Sequence, residues 1–283
     1  MNKVTIVNID ISQNHSKYYK IPREEVNVNI YLFTYICLDE EEFPDLILYE
    51  HFVNHYLNYG IDSKHFYIVP CGTGTHTRAY DQFKQVNKKY NIKNIKLVKK
   101  QYDIKEHEII YDKWRRTINK KNWIVKADLD EFNDYGHFLT IHDCAKWLQE
   151  NNFTAIRGQL MDCVSKDNKL KTILPDENIF SQFPKRAKIT LHALNQNTNK
   201  ILLAKPYVEL IWGHHNTISD PKVHPKTYES DFYSFHFKWT DILSKRYDRA
   251  LRTQDNQLYT GFSDTFIKTK HLIKNNKINM YIE

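Results

Sequence analysis

The sequence predicts an α/β fold built on a doubly wound, mostly parallel, Rossmann-like sheet, followed by an irregular C-terminal subdomain. Three observations carry that expectation. Apolar runs rich in β-branched and aromatic residues recur at 29–37, 65–69, 95–98 and 123–126, each of strand length. Segments with helical apolar spacing separate them, and β-α-β crossovers of this length imply parallel neighbours. The last run, Trp123-Ile124-Val125-Lys126, leads directly into Ala127-Asp128-Leu129-Asp130-Glu131-Phe132, so a buried strand ends in three carboxylates.

The elements follow in order. Residues 4–9 form a short edge strand and 29–37 a buried one. Pro44 suits a first helical turn; Leu46, Tyr49, Phe52, Val53, Tyr56 and Leu57 then repeat at helical spacing, and Gly60 closes the helix. Strand 65–69 leads to the turn-rich Cys71-Gly72-Thr73-Gly74-Thr75, a polar helix over 79–90 and strand 95–98. Asp103, with Glu106 three residues on, opens a helix whose buried face carries Ile110, Trp114 and Ile118. After the acidic cluster, Ile141, Cys144, Ala145 and Leu148 line one face of a helix over 140–150. Residues 154–163, 187–194 and 201–204 read as strands, the last two as a hairpin around 195–199. Trp239, Ile242, Leu243, Tyr247 and Leu251 mark a final amphipathic helix. No linker divides the chain. The expectation is a single domain over 1–283, with a regular α/β half over 1–132 and a less regular half, ending in the C-terminal helix, over 133–283.

Composition narrows the function classes. A hydrophobic fraction of 41% with 27% charged residues is that of a globular protein with a sizeable core. No apolar run approaches the roughly 20 residues of a membrane span, so the expectation is a soluble, cytoplasmic chain with no transmembrane segment. Four cysteines without close sequence pairing argue against a zinc site or a disulfide framework and suit a reducing compartment. The net charge of +7 is spread out, which serves an anionic small molecule as well as it serves nucleic acid.

The acidic cluster carries the chemistry. If the strand continues through it, Asp128 and Asp130 leave the same face one pleat apart. Two such carboxylates repel unless a cation lies between them, and a hard divalent ion also leaves room for phosphate oxygens. Open α/β sheets bind ligands beyond the carboxyl ends of their strands, which is where these acids fall. Glu131 is either a group orienting Lys126, a histidine or water, or an acid favoured by a helix N-terminus.

Six segments in order extend the pattern: residues 49–62, 123–132, and 158–170 with Asp162 and the Asp167-Asn168 turn; then Phe180-Ser181-Gln182-Phe183-Pro184, Trp212-Gly213-His214-His215 and His236-Phe237-Lys238-Trp239. With them the chain resembles glycosyltransferases of the GT-A fold, most closely the family-2-like group, related to family 92, that carries Asp-x-Asp-Glu-Phe. The resemblance implies transfer of a sugar, with inversion, from a UDP- or GDP-sugar to a glycan, lipid or protein acceptor. It implies Mn²⁺ or Mg²⁺ held by Asp128 and Asp130, with Asp128 also facing the donor and a late histidine, His214, His215 or His236, completing the shell. Lys238, on the same side of an extended strand as His236, would neutralise a phosphate, and Asp162 is the candidate catalytic base beside Glu131. Three positions depart from the group. Cys37-Leu38-Asp39-Glu40-Glu41-Glu42 replaces an Asn-Glu pair, residues 70–75 replace an Asp-Asn-x-Ser-x-Asp turn, and Cys163 stands where an arginine is frequent.

Two other readings compete. A haloacid-dehalogenase-type phosphatase also uses Asp-x-Asp after a strand, but there the motif ends the first strand; here a long β-α series precedes it. A non-catalytic basic protein binding nucleic acid or glycan accounts for charge and the 19 tyrosines but leaves the acidic cluster unexplained, and no nucleic-acid partner is expected.

Overall fold

Apolar alternation and helix caps set the local structure. The computed structural model describes residues 6–7, 28–38, 46–72, 77–100, 103–218, 225–243, 268, 272–274 and 277–278. Along the chain run Ile6–Val7 (β1), Ile30–Cys37 (β2), Leu46–Asn58 (α1), Phe66–Cys71 (β3), Arg78–Lys89 (α2), Asn94–Ile95 (β4), Ile104–Arg115 (α3), Trp123–Lys126 (β5) and Glu131–Asn133 (β6). Ile141–Glu150 (α4), Ala155–Val164 (β7), Ile179–Gln182 (α5), Lys185–Ala187 (β8), Ile189–His192 (α6), Asn199–Ala204 (β9) and Thr227–His236 (β10) follow. Side chains of Thr77 and Asp103 accept from backbone N–H groups in the first turns of α2 and α3, and Thr140 with Asp143 forms a reciprocal capping box on α4. Gly60, at φ +95°, turns the chain out of α1 in a conformation open to glycine.

The chain divides into two compact units that interleave in sequence. The larger comprises Asp10–Gln159 and Asn199–Ser234. Its nucleus is the parallel block β5-β2-β3-β4, with Ile30 opposite Trp123, Leu32 opposite Phe66, and Tyr67 opposite Asn94. From β2 the strands step outward to β3 and β4, and the chain then returns to place β5 on the other side of β2. That reversal makes the carboxyl ends of β2 and β5 a topological switch point, where α/β sheets open a crevice for ligands. β9 lies antiparallel to β5 and to the first half of β7, Ala204 facing Ile124 and Ala155. Phe33, Val69 and Ile124 pack against Tyr111 of α3, while Tyr49, Phe52, Val53 and Tyr56 bury the inner face of α1.

The smaller unit comprises Met1–Ile9, Leu160–Thr198 and Phe235–Glu283. Here β1, β8 and the second half of β7 pair antiparallel, with Ala187 between Ile6 and Asp162. Val164, Leu170, Ile189, Leu194, Trp239 and Leu243 form its core.

The structure departs from the sequence expectation in three places. β5 ends at Lys126, and Asp128 to Glu131 form a tight turn closed by the Glu131 N–H donating to the Asp128 carbonyl (2.9 Å). Asp128 and Asp130 are therefore turn residues, not alternate positions of one strand. Strand 187–194 stops at Ala187, because the Asp162 carboxylate accepts both the N–H and the hydroxyl of Thr190 and draws the backbone into α6. Residues 201–204 consequently pair with β5 and β7 instead of making a hairpin with 187–194. The expectations at Pro44, Asp39 to Glu42, Thr73 to Thr75, Tyr247 and Leu251 lie outside the described residues. Among the described residues no helix is long and apolar enough to cross a membrane.

Candidate functional site

The turn after β5 brings residues i and i+3 together, so the carboxylates of Asp128 and Glu131 come to one side. His214 reaches them from the segment after β9. Ligand atoms of Asp128, Glu131 and His214 lie within 4.8 Å of one another. Glu131 and His214 are buried, at 3% and 1% exposure, while the Asp128 side chain keeps 29%. Local backbone geometry enforces the approach of His214. Gly213 (φ +73°) and His214 (φ +46°) are successive left-handed residues, and a Cβ on Gly213 would lie 2.9 Å from the His215 ring. A left-handed histidine costs about 1 kcal/mol or more, which the contacts it makes must offset.

Those contacts are to Glu131 and to a lysine absent from the motif. Lys200, second residue of β9, places Nζ 2.6 Å from Glu131 Oε1, 3.8 Å from Asp128 Oδ2 and 3.1 Å from the Gly213 carbonyl oxygen. His214 Nε2 lies 3.0 Å from Glu131 Oε2, and 3.5 Å from the same ammonium. Both Glu131 oxygens are thus engaged. Burial, and then the charge of Lys200, push the His214 imidazole well below its ordinary pKa, so it is neutral. Its Nε2 must then carry the proton it donates to the carboxylate, and Nδ1, buried, has no hydrogen-bond partner among the described residues. Burial opposes the charge on Lys200, but Glu131 and Asp128 outweigh it and raise the ammonium pKa.

The compactness of Asp128, Glu131 and His214 is that of a metal site, yet the donor set does not fit one while Lys200 is in place. An ion ligated by all three would share Glu131 with an ammonium. A dication about 4 Å from a unit positive charge is opposed by roughly 8 kcal/mol at an effective dielectric of 20, the same size as its attraction to one carboxylate. The trio therefore presents the field of one acid, not two. Asp128 and Asp130 are the half-exposed acids of the turn.

The remaining predicted residues fall as follows. His215, in the larger unit, is half-buried, with Nδ1 2.7 Å from the Asn199 carbonyl oxygen; burial and the charge of Lys200 lower its pKa. Lys126 is committed to Glu108, its Nζ 2.6 and 2.7 Å from the two carboxylate oxygens and 4.5 Å from the centroid of the Tyr111 ring. Burial lowers its pKa, with Glu108 opposing. Asp162, His236 and Lys238 belong to the smaller unit. Asp162 is fully buried and accepts four hydrogen bonds: from Thr190 N–H (2.7 Å) and Oγ1 (2.8 Å), His236 Nδ1 (2.9 Å) and Trp239 Nε1 (2.8 Å). Burial pushes its carboxyl up, but His236, Thr190 and Trp239 together hold it below the ordinary carboxylate range. Lys238 is half-buried just beyond β10.

Sequence reasoning missed Lys200 and the bond from Trp239 to Asp162. The signal for Lys200 was a charged residue at the head of the strand Asn-Lys-Ile-Leu-Leu-Ala, all of whose residues after Asn199 are buried. A buried lysine calls for a buried acid, but only the fold says which.

No family model matches the chain, and no curated protein is similar to it. Among solved structures it is similar to the crystal structure of S. aureus TarS 1-349, at 10% identity and a TM-score of 0.37, over 85% of this chain and 69% of that one. It is also similar to a 4-diphosphocytidyl-2C-methyl-D-erythritol synthase, at 13% identity and a TM-score of 0.35, over 73% of this chain and 91% of that one. At that level of similarity the functional reading rests on the residues of this chain.

Proposed function

We propose that this protein is a glycosyltransferase of GT-A type that moves a sugar from a UDP- or GDP-sugar to a hydroxyl of a glycan, lipid or protein, with inversion. One observation carries the reading: a turn bearing Asp128 and Asp130 follows β5 at the switch point of a parallel block, backed by the buried Glu131, Lys200 and His214. Such a crevice receives a nucleotide diphosphate, and the acids of its rim need a cation to accept one.

Asp128 and Asp130 would hold Mn²⁺ or Mg²⁺, with His215 as the neutral imidazole of the same unit available to join them. When bound, the ion supplies a Lewis acid against the charge that builds on the leaving diphosphate. Glu131 acts beneath them as a positioning residue, gripping Lys200 and His214 so that the turn keeps its shape. In the smaller unit, taken by itself, Asp162 and His236 form an acid–imidazole pair of the kind that can take a proton from a hydroxyl. A carboxylate saturated by four donors is a poor base, whereas an imidazole whose Nδ1–H it fixes has the tautomer that leaves Nε2 basic.

Screening UDP- and GDP-sugars with Mn²⁺ for donor hydrolysis tests it. Asp130→Asn should lower turnover by about 10² or more, the scale of losing an electrostatic partner of the leaving group, with an unchanged melting temperature. Equal turnover in that variant, or no turnover with any nucleotide sugar, would sink the assignment.

A further inference from the structure

The inner half of the acid cluster already has its cation. We propose that Lys200 is a resident counter-cation occupying the place of a metal among Asp128, Glu131 and His214, and that this ammonium confines any divalent ion to the half-exposed side of the turn that carries Asp128 and Asp130. Lys200 Nζ lies within 3.8 Å of all three candidate ligand groups, and its closest partner, at 2.6 Å, is the buried Glu131. Its side chain is 5% exposed, so the ammonium is part of the interior and not a surface lysine resting near an acid. A buried charge of this kind is retained only with a partner, and Glu131 is equally in need of one. The Gly213 carbonyl oxygen accepts a further hydrogen bond from the ammonium, which ties the left-handed turn of Gly213 and His214 to the same cation.

The distinguishing consequence concerns metal affinity, and it relies on the transferase reading only for its role in catalysis. Removing the ammonium without changing the acids should convert the trio into a three-ligand site of two carboxylates and one imidazole. Lys200→Met keeps the aliphatic volume and deletes the charge. Binding of Mn²⁺ alone, with no nucleotide, is followed by the loss of its free EPR signal in the wild-type chain, in Lys200→Met and in His214→Asn.

The expected result is that Lys200→Met binds Mn²⁺ at least tenfold more tightly than wild type, while His214→Asn in the wild-type background changes affinity by less than twofold. A wild-type chain that binds no Mn²⁺ beside a Lys200→Met chain that does supports the inference and removes the divalent ion from the proposed function. A folded Lys200→Met chain that binds no more tightly than wild type overturns it. So does a tenfold loss in His214→Asn, because His214 would then ligate with Lys200 present. Should Lys200→Met fail to fold, the His214→Asn comparison decides alone: unchanged affinity sustains the inference, and a tenfold loss ends it. Failure of the transferase reading would leave these affinities untouched and would show in donor hydrolysis.

Discussion

Glu131 and Asp130 are neighbours with opposite roles, and substitution should separate them. Glu131 is buried with one oxygen on an ammonium and the other on an imidazole, so Glu131→Gln leaves Lys200 charged without its acid. Breaking a buried ion pair by removing one partner costs about 3–5 kcal/mol, and urea denaturation of the variant should show a loss of that order. Asp130 is only partly buried, and Asp130→Asn should fall within about 0.5 kcal/mol of wild type, as surface changes do. A stable Glu131→Gln chain would mean that Lys200 sheds its proton or finds another acid. In the sequence Asp130 already falls to a cation and Glu131 to orienting Lys126, a histidine or water, or to a helix N-terminus; what the sequence does not contain is that Glu131 meets Lys200 and His214.

At the scale of elements, α1 and β6 meet through a histidine that reports on pH. His55 Nε2 lies 2.8 Å from the Asn133 carbonyl oxygen, and burial lowers its pKa from 6.5 to about 4, the backbone hydrogen bond opposing. The unfolded chain therefore takes up a proton below pH 6.5 that the folded chain refuses until about pH 4. Stability should fall as pH drops through that window, by on the order of 1 kcal/mol between pH 7 and pH 5, and level off below the folded value. Denaturant midpoints of wild type and His55→Gln at the two pH values check this; parallel pH dependence in both chains would assign the loss elsewhere. The helix itself was legible from its apolar spacing, and so was the helix start at Asp103, because these signals are local. The continued strand through Asp128 and Asp130 was misread because a four-residue turn and two more strand residues share the same alternation of Asp, Leu, Asp and Glu.

For the molecule as a whole, a net charge of +7 and the β2/β5 switch point, the place where open α/β sheets bind ligands, suit an anionic ligand. UDP or GDP with Mn²⁺ should stabilise the native chain. A ligand at 100 times its dissociation constant adds about 2.7 kcal/mol, enough to raise the melting temperature by several degrees for a chain of this length. A phosphatase would instead use the first acid of the motif as a nucleophile and trap a phosphoryl group on Asp128. Phosphorylated Asp128 after acid quench, with no stabilisation by any nucleotide diphosphate, would replace the transferase reading.

The sequence by itself determined the alternation of strands and helices through the larger unit and the location of the acids just beyond a buried strand. Periodicity and capping act over a few residues, so a linear text contains them. Only the tertiary structure decided that β9 runs antiparallel beside β5, because strand partners separated by some 80 residues are chosen by packing and not by local pattern. That pairing carries Lys200 under Glu131. It also fell to the fold to close Asp162 behind four donors, and to bring Cys37 and Cys71, 34 residues apart in sequence, to 3.1 Å between sulfurs at the carboxyl ends of β2 and β3. Charges and thiols act on whatever lies within a few ångströms, and that neighbourhood exists only once distant segments have packed.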